Sequence, residues 1–126
     1  MKLRIKGNTL RLRVSRSELT SLQHGNRVED AIQFSAAPES RWSYGLQVAS
    51  QSKPIEIEWK PQSLTVSISE ERMKSWATET EIGIYEAVDL GPAGSLAVVI
   101  EKDFACLDRS DEDSSDSFAN PRTACE

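Results

Sequence analysis

The amino-acid sequence predicts an α+β, mainly β domain made of two ββαββ units, residues 2–48 and 56–102. Two observations support this prediction. When the two segments are aligned at an offset of 54 residues, their apolar positions keep the same alternating phase, as where Leu10 meets Leu64. Turn residues and serine caps also fall at matching places. We therefore expect one pseudo-symmetric domain.

The first element is predicted to be a hairpin with a two-residue turn at Gly7-Asn8. This turn sets a register in which apolar side chains share the inner face and basic side chains share the outer face. The inner pairs are Ile5–Leu10 and Leu3–Leu12, and the outer pairs are Arg4–Arg11 and Lys2–Arg13. Because like charges directly opposite each other destabilise a strand pair, we expect an anion over the outer face. The alternative is that the long side chains extend into water.

Helices and further strands follow in the same order in both units. Ser15 and Glu18 match a capping box, which predicts a helix that ends at Gly25. In the second unit, Pro61-Gln62 marks the hairpin turn and Ser69 precedes the helix. The remaining strands are expected at about 28–34, 42–49, 82–88 and 95–102. Four aromatic residues in phase with aliphatic neighbours are expected in the core or at its margin: Trp42, Tyr44, Trp59 and Trp76.

The composition is that of a globular chain whose N-terminal end is basic and whose C-terminal end is acidic. The 126 residues include 38% hydrophobic and 28% charged residues, which is ordinary for one domain. Residues 1–16 hold six basic groups and no acidic group, whereas residues 101–126 hold eight acidic and three basic groups. No apolar run has the length of a membrane span, and the first residues lack the pattern of a signal peptide. We expect a cytoplasmic protein with no membrane partner.

Three anions are candidates for covering the basic residues. The first is the pair Glu56 and Glu58 on the second hairpin, and the second is the acidic C-terminal tail, residues 108–126. The third, nucleic acid, is disfavoured because a chain of net charge −5 with a polyanionic tail repels phosphate. The candidate binding residues are Lys2, Arg4, Lys6, Arg11, Arg13, Glu56 and Glu58.

Residues 56–60, "EIEWK", resemble the E-x-E-x-K strand of the triphosphate-tunnel enzymes. That resemblance implies a phosphate- or divalent-metal-handling enzyme, in which Glu56 and Glu58 bind the metal and basic strands hold phosphates. The chain departs from that pattern, since Thr65 and Ser67 stand where charged residues are expected. Otherwise no nucleophile motif, phosphate loop or metal-ligand spacing is present. We predict no catalytic residue, no metal site and no cofactor.

Three passages resemble a small bacterial family known only as a domain of unknown function. They are "MKLRIKGNTLRLRVSRSEL" at the start, "LQHGNRVEDAIQF" after it, and "IEKDFACLDR" with "DEDSSDSFANP" and a last cysteine at the end. The resemblance implies no activity, ligand or partner. It does imply that the tail accompanies the domain, residues 1–107.

The tail contains more than solvating residues, because Phe118 and Cys125 lie beyond its acidic run. We expect it to fold back, so that its acids meet the basic hairpin and Cys125 approaches Cys106, which follows Phe104 at strand alternation. The function predicted from the sequence is a non-enzymatic protein-interaction module. Its partner is unknown, and a homodimer through exposed strand edges is one possibility. The phosphate- or metal-handling enzyme is the alternative.

Overall fold

The structure is a computed structural model that describes residues 1–78 and 80–104. In this part of the chain, the order of elements is ββαββ followed by ββαββ. The strands are β1 (Lys2–Lys6), β2 (Thr9–Val14), β3 (Val28–Gln33), β4 (Arg41–Ala49), β5 (Ile55–Lys60), β6 (Ser63–Ser69), β7 (Gly83–Asp89) and β8 (Ser95–Lys102). The helices are α1 (Arg16–Gln23) and α2 (Glu70–Trp76), and single 3-10 turns lie at Pro38–Ser40 and Gly91–Ala93.

The strands form two four-stranded sheets, and each sheet takes one hairpin from each half of the chain. The order is β1-β2-β8-β7 in the first sheet, called sheet A, and β3-β4-β6-β5 in the second, called sheet B. The inner pairs β2/β8 and β4/β6 are parallel, whereas the hairpin pairs are antiparallel. The predicted fold class and the duplicated layout are therefore confirmed.

The hairpin register agrees with the sequence prediction in both halves. Lys2 lies opposite Arg13 and Arg4 opposite Arg11, while the equivalent second hairpin places Glu58 opposite Thr65. Because two-residue turns leave one favoured pairing of the flanking strands, local sequence was sufficient to predict these pairs.

The gap-free alignment of the two halves is wrong at one strand. Asp30 lies opposite Tyr44, but Glu86 lies opposite Val98, so β3 corresponds to β7 at an offset of 56 and not 54. The connection α2–β7 is two residues longer than α1–β3, and the connection β7–β8 is two residues shorter than β3–β4. As a result, the buried equivalent of Val28 is Ile84.

Both helices begin at the predicted serine caps. The Ser15 hydroxyl accepts a hydrogen bond from the Glu18 amide, and the Glu18 carboxylate accepts one from the Ser15 amide. The Glu18 carboxylate also pairs with the Met1 amine. Burial raises the pKa of Glu18, but its bonds to that amine and to Ser15 outweigh burial, so its pKa lies below the usual value. Gly25, at φ +82°, follows His24, the C-cap of α1, and allows the chain to turn away.

One hydrophobic core joins the inner faces of both sheets to the two helices. Its fully buried side chains include Trp76 of α2 and Leu22 of α1, together with Leu12, Leu46, Ile68, Ile84 and Ile100 from the strands. Trp42 and Tyr44 pack at its margin, as expected. None of the helices in the described part of the chain has the length and hydrophobicity that crossing a bilayer requires.

Two residues expected inside are exposed. Trp59 is 64% exposed and its equivalent in the first half, Ile5, is 62% exposed. Both lie on the inner side of their sheet, but beside the hairpin turns. Helix α1 follows β2 and helix α2 follows β6, at the ends of these strands that lie away from the hairpin turns. The helices therefore cover the opposite end of the core and leave these two side chains in solvent.

Candidate functional site

Five basic side chains share the outer face of β1 and β2. On β2 the buried residues Leu10, Leu12 and Val14 alternate with Thr9, Arg11 and Arg13, so the latter three lie on the outer face. Antiparallel pairing places Lys6, Arg4 and Lys2 beside them. We call this surface the basic face, and it consists of Lys2, Arg4, Lys6, Arg11 and Arg13.

A carboxylate from the second half of the chain lies against the basic face. The parallel pairing of β2 with β8 brings Glu101 beside Arg13. One Glu101 oxygen, Oε1, is 3.5 Å from Arg11 Nε and 3.7 Å from Arg13 Nε. The other oxygen accepts a hydrogen bond of 3.0 Å from the Tyr85 hydroxyl on β7. Glu101 therefore offsets part of the repulsion between the two arginines.

The surroundings of Tyr85 change the pKa of its hydroxyl. Burial and the hydrogen bond to Glu101 raise the pKa of Tyr85 above its ordinary value, while the positive charge of Arg11 opposes the rise. The phenol therefore stays protonated at neutral pH and remains a hydrogen-bond donor to Glu101.

A second carboxylate lies at the edge of the basic face where the described chain ends. Asp103 Oδ2 is 3.0 Å from Lys2 Nζ. Its position is held by its backbone amide, which donates a 2.8 Å hydrogen bond to the Val14 carbonyl. Both acidic residues that contact the basic face therefore lie toward its Lys2 end.

The opposite end of the basic face has no acidic neighbour in residues 1–78 and 80–104. A cleft of about 240 Å³ is lined there by Arg4, Lys6, Thr9 and Arg11. Within the described residues, no carboxylate forms an ion pair with Arg4 or Lys6, and only Arg11 contacts one. Three cationic groups and a hydroxyl around one cleft can hold a carboxylate or phosphate group by charge-assisted hydrogen bonds.

The two predicted carboxylates Glu56 and Glu58 lie on a different surface. They occupy the outer face of β5 in sheet B, opposite Ser67 and Thr65. Glu58 is 3.6 Å from Lys60, and both side chains are 66% exposed. The shared core lies between the two sheets, so these carboxylates and the basic face turn away from each other. The converging cavity that a triphosphate-tunnel arrangement requires is not formed by these residues.

The residues of this site that sequence reasoning missed are Glu101, Asp103 and Tyr85. They are identified by the interleaved strand order of the folded domain, which places β8 between β2 and β7. Phe104, a predicted tail residue, is the last residue described and is 58% exposed. The other predicted tail residues, Cys106, Phe118 and Cys125, lie outside the described residues.

A larger cavity of about 390 Å³ lies between α1, α2 and the end of β4. Its lining is mainly apolar, including Leu22, Val48 and Met73, with Glu70 and Lys74 as its charged residues. The described residues also contain no group of three His, Cys, Asp or Glu side chains placed to hold a metal ion. Of these surfaces, the basic face is therefore the one with the clearest preference for a class of ligand, namely anions.

Fold and surface together define a small α+β domain of two interleaved sheets that presents a cationic strand pair. The chain belongs to a family of unknown function (DUF7009), whose sequence model matches residues 1–122. The expected membership of a domain family of unknown function is thereby confirmed. No curated protein matches the chain, and no solved structure matches it.

Proposed function

We propose that this protein is a non-enzymatic interaction module that binds an acidic protein segment on its basic face. The observation that supports the proposal is the cleft at the Lys6 end, where Arg4, Lys6 and Arg11 surround one cavity. Arg4 and Lys6 form no ion pair within the described residues, and such charged groups attract complementary charge and set the orientation of a bound chain. The face lies along two strands, so it can accommodate an extended peptide.

A protein partner fits the charges of this chain better than nucleic acid does. The whole chain carries a net charge of −5, and the basic face is a local exception to it. A nucleic acid presents phosphates over a long distance, so the rest of the chain would repel it. A short acidic segment contacts the basic face alone and avoids that repulsion. We place this interaction in the cytoplasm as part of the same proposal.

The binding test uses the full chain and a short fluorescein-labelled peptide of alternating glutamate and serine, with fluorescence anisotropy as the readout. Lys6→Glu should weaken binding roughly two- to fivefold, since an exposed charge contact contributes about 0.5–1 kcal/mol. The fold offers a matched control, because Lys60 is the equivalent of Lys6 on sheet B. Lys60→Glu makes the same change of charge away from the basic face.

Equal weakening by Lys6→Glu and Lys60→Glu would show that the peptide responds to net charge alone, and the proposed site would be abandoned. The decisive negative result is no peptide binding at low salt, either to wild type or to the variant without tail charges described below. That result would remove the proposed function itself.

Self-association is part of the same proposal, because each sheet of the described chain ends in two edge strands, and edge strands can pair with another chain through their backbone groups. Native mass spectrometry of the reduced protein measures the subunit count directly. A monomer at micromolar concentration would rule out a stable homodimer and direct the search to other proteins.

A further inference from the structure

We propose that the acidic tail of this chain, residues 108–126, is the intramolecular occupant of the basic face and competes there with an external acidic segment. This inference rests on the proposed function, since it names a partner for the same site and a way of regulating it. The tail carries six acidic and two basic residues, a net charge of −4. The basic face carries five cationic groups, of which Lys2, Arg11 and Arg13 contact the described carboxylates Glu101 and Asp103.

The described chain ends at Phe104, shortly before the tail, at the edge of the basic face. Strand β8 runs parallel to β2 and ends beside Val14, at the same end of the sheet as Lys2. Asp103, just beyond β8, already pairs with Lys2 at 3.0 Å. Asp103 lies five residues before the tail, so the segment that leads into the tail already contacts the basic face.

The length of the tail is sufficient to reach the cleft. The four residue steps from Lys2 to Lys6 span about 13 Å of strand. The eight steps from Asp103 to Asp111 can extend about 26 Å, which allows the chain to reverse direction and still bring the acidic run over Arg4 and Lys6. The cleft at the Lys6 end is then within reach of the acids of the tail, Asp111, Glu112, Asp113 and Asp116.

Tethering strengthens such an intramolecular contact. A flexible tether of this length gives an effective concentration in the millimolar range. At an effective concentration of roughly 2–9 mM, a tail affinity of about 1 mM leaves the face occupied about 70–90% of the time, and the apparent affinity for an external peptide falls in proportion to the unoccupied fraction. We expect the competition to weaken external binding about three- to tenfold.

The test removes the tail charges and keeps the full chain. The tail-neutral variant carries Asp111→Asn, Glu112→Gln, Asp113→Asn and Asp116→Asn. A matched control makes the same change of net charge on exposed residues away from the basic face: Glu39→Gln, Glu56→Gln, Glu58→Gln and Glu71→Gln. Two quantities are measured, the affinity for the glutamate–serine peptide and the amide chemical shifts of residues 2–14 by NMR.

If the tail occupies the face, the tail-neutral variant binds the peptide three- to tenfold more tightly than wild type, and its amides in residues 2–14 shift. The matched control does neither. Adding Lys6→Glu to wild type and to the tail-neutral variant should reduce the difference between them. The difference should also vanish in about 1 M salt, where the screening length is roughly 3 Å.

The outcomes separate the two proposals. Peptide binding that depends on Lys6 but is unchanged in the tail-neutral variant overturns the intramolecular occupant and leaves the proposed function standing. Shifts in residues 2–14 without any peptide binding support the tail as occupant and remove the external partner. Shifts that grow with protein concentration show binding between two chains and overturn the intramolecular arrangement.

Discussion

Replacing Glu101 with glutamine tests how the basic face is held together. Glu101 is 17% exposed, contacts Arg11 and Arg13 through one oxygen and accepts the Tyr85 hydroxyl through the other. The replacement keeps the shape and a hydrogen-bond acceptor but removes the charge. Glutamine already occupies the equivalent strand position in the other sheet, as Gln47 on β4.

The expected loss of stability follows from these contacts. Each ion pair is long and involves an arginine that is 26–34% exposed, so each contributes only a few tenths of a kcal/mol, about 0.5. The hydrogen bond from Tyr85 changes from charge-assisted to neutral, which costs roughly 1 kcal/mol. The total of about 1–2 kcal/mol lowers the melting temperature of a domain of this size by roughly 5–10 °C.

Peptide binding should change in the opposite direction. The loss of one negative charge makes the basic face more positive, so the glutamate–serine peptide should bind roughly two- to fivefold more tightly. Glu58→Gln is the control, because Glu58 is 66% exposed, pairs with Lys60 and lies on sheet B. It should leave both the melting temperature and peptide binding close to wild type.

The assays are thermal unfolding, fluorescence anisotropy and titration of the tyrosine ring by NMR. Because the carboxylate charge helps to raise the pKa of Tyr85, that pKa should fall toward its ordinary value in the variant, with burial keeping part of the rise. A Glu101→Gln protein with unchanged stability, unchanged binding and an unchanged Tyr85 pKa would refute the view that this carboxylate holds the face together.

Three further predictions concern the fold. A Cβ on Gly45 would clash with the Arg27 guanidinium, which would have to leave its hydrogen-bond partners. Gly45→Ala should therefore destabilise the wild type yet be neutral or stabilising beside Arg27→Ala, with a coupling of about 1 kcal/mol by urea denaturation. Additive effects would contradict the contact. Because the folded-state pKa of Glu18 is lowered, its contribution to stability is present above the ordinary carboxyl pKa and is lost as pH falls through the lowered value. Glu18→Gln should therefore flatten the acid side of the stability curve, and an unchanged slope would show that this carboxyl is not responsible. Trp76→Ala should lower the free energy of unfolding by about 3–5 kcal/mol, measured by denaturant unfolding, whereas Trp59→Ala should lower it by less than about 1 kcal/mol. Similar losses for the two variants would place Trp59 in the core.

Much of the local structure is predictable from the sequence because it depends on near neighbours. The two-residue turn at Gly7-Asn8 determines which residues of the first hairpin oppose each other, and the alternation of strands determines their faces. Ser15 and Glu18 form their capping box from residues three apart. The sequence accordingly predicts the five members of the basic face and the pairs Lys2–Arg13 and Arg4–Arg11.

The surroundings of that face were decided by tertiary structure. Pairing of β2 with β8 joins residues about ninety positions apart, and no local rule distinguishes it from pairing within one half of the chain. This pairing brings Glu101 to the arginines. From the sequence, Glu56 and Glu58 were instead among the candidate carboxylates for these basic residues. The placement of both helices at one end of the core likewise leaves Ile5 and Trp59 exposed, although their strand phase predicts burial. Strand alternation determines the side of a sheet on which a residue lies, but whether another element covers that side depends on the packing of the whole domain.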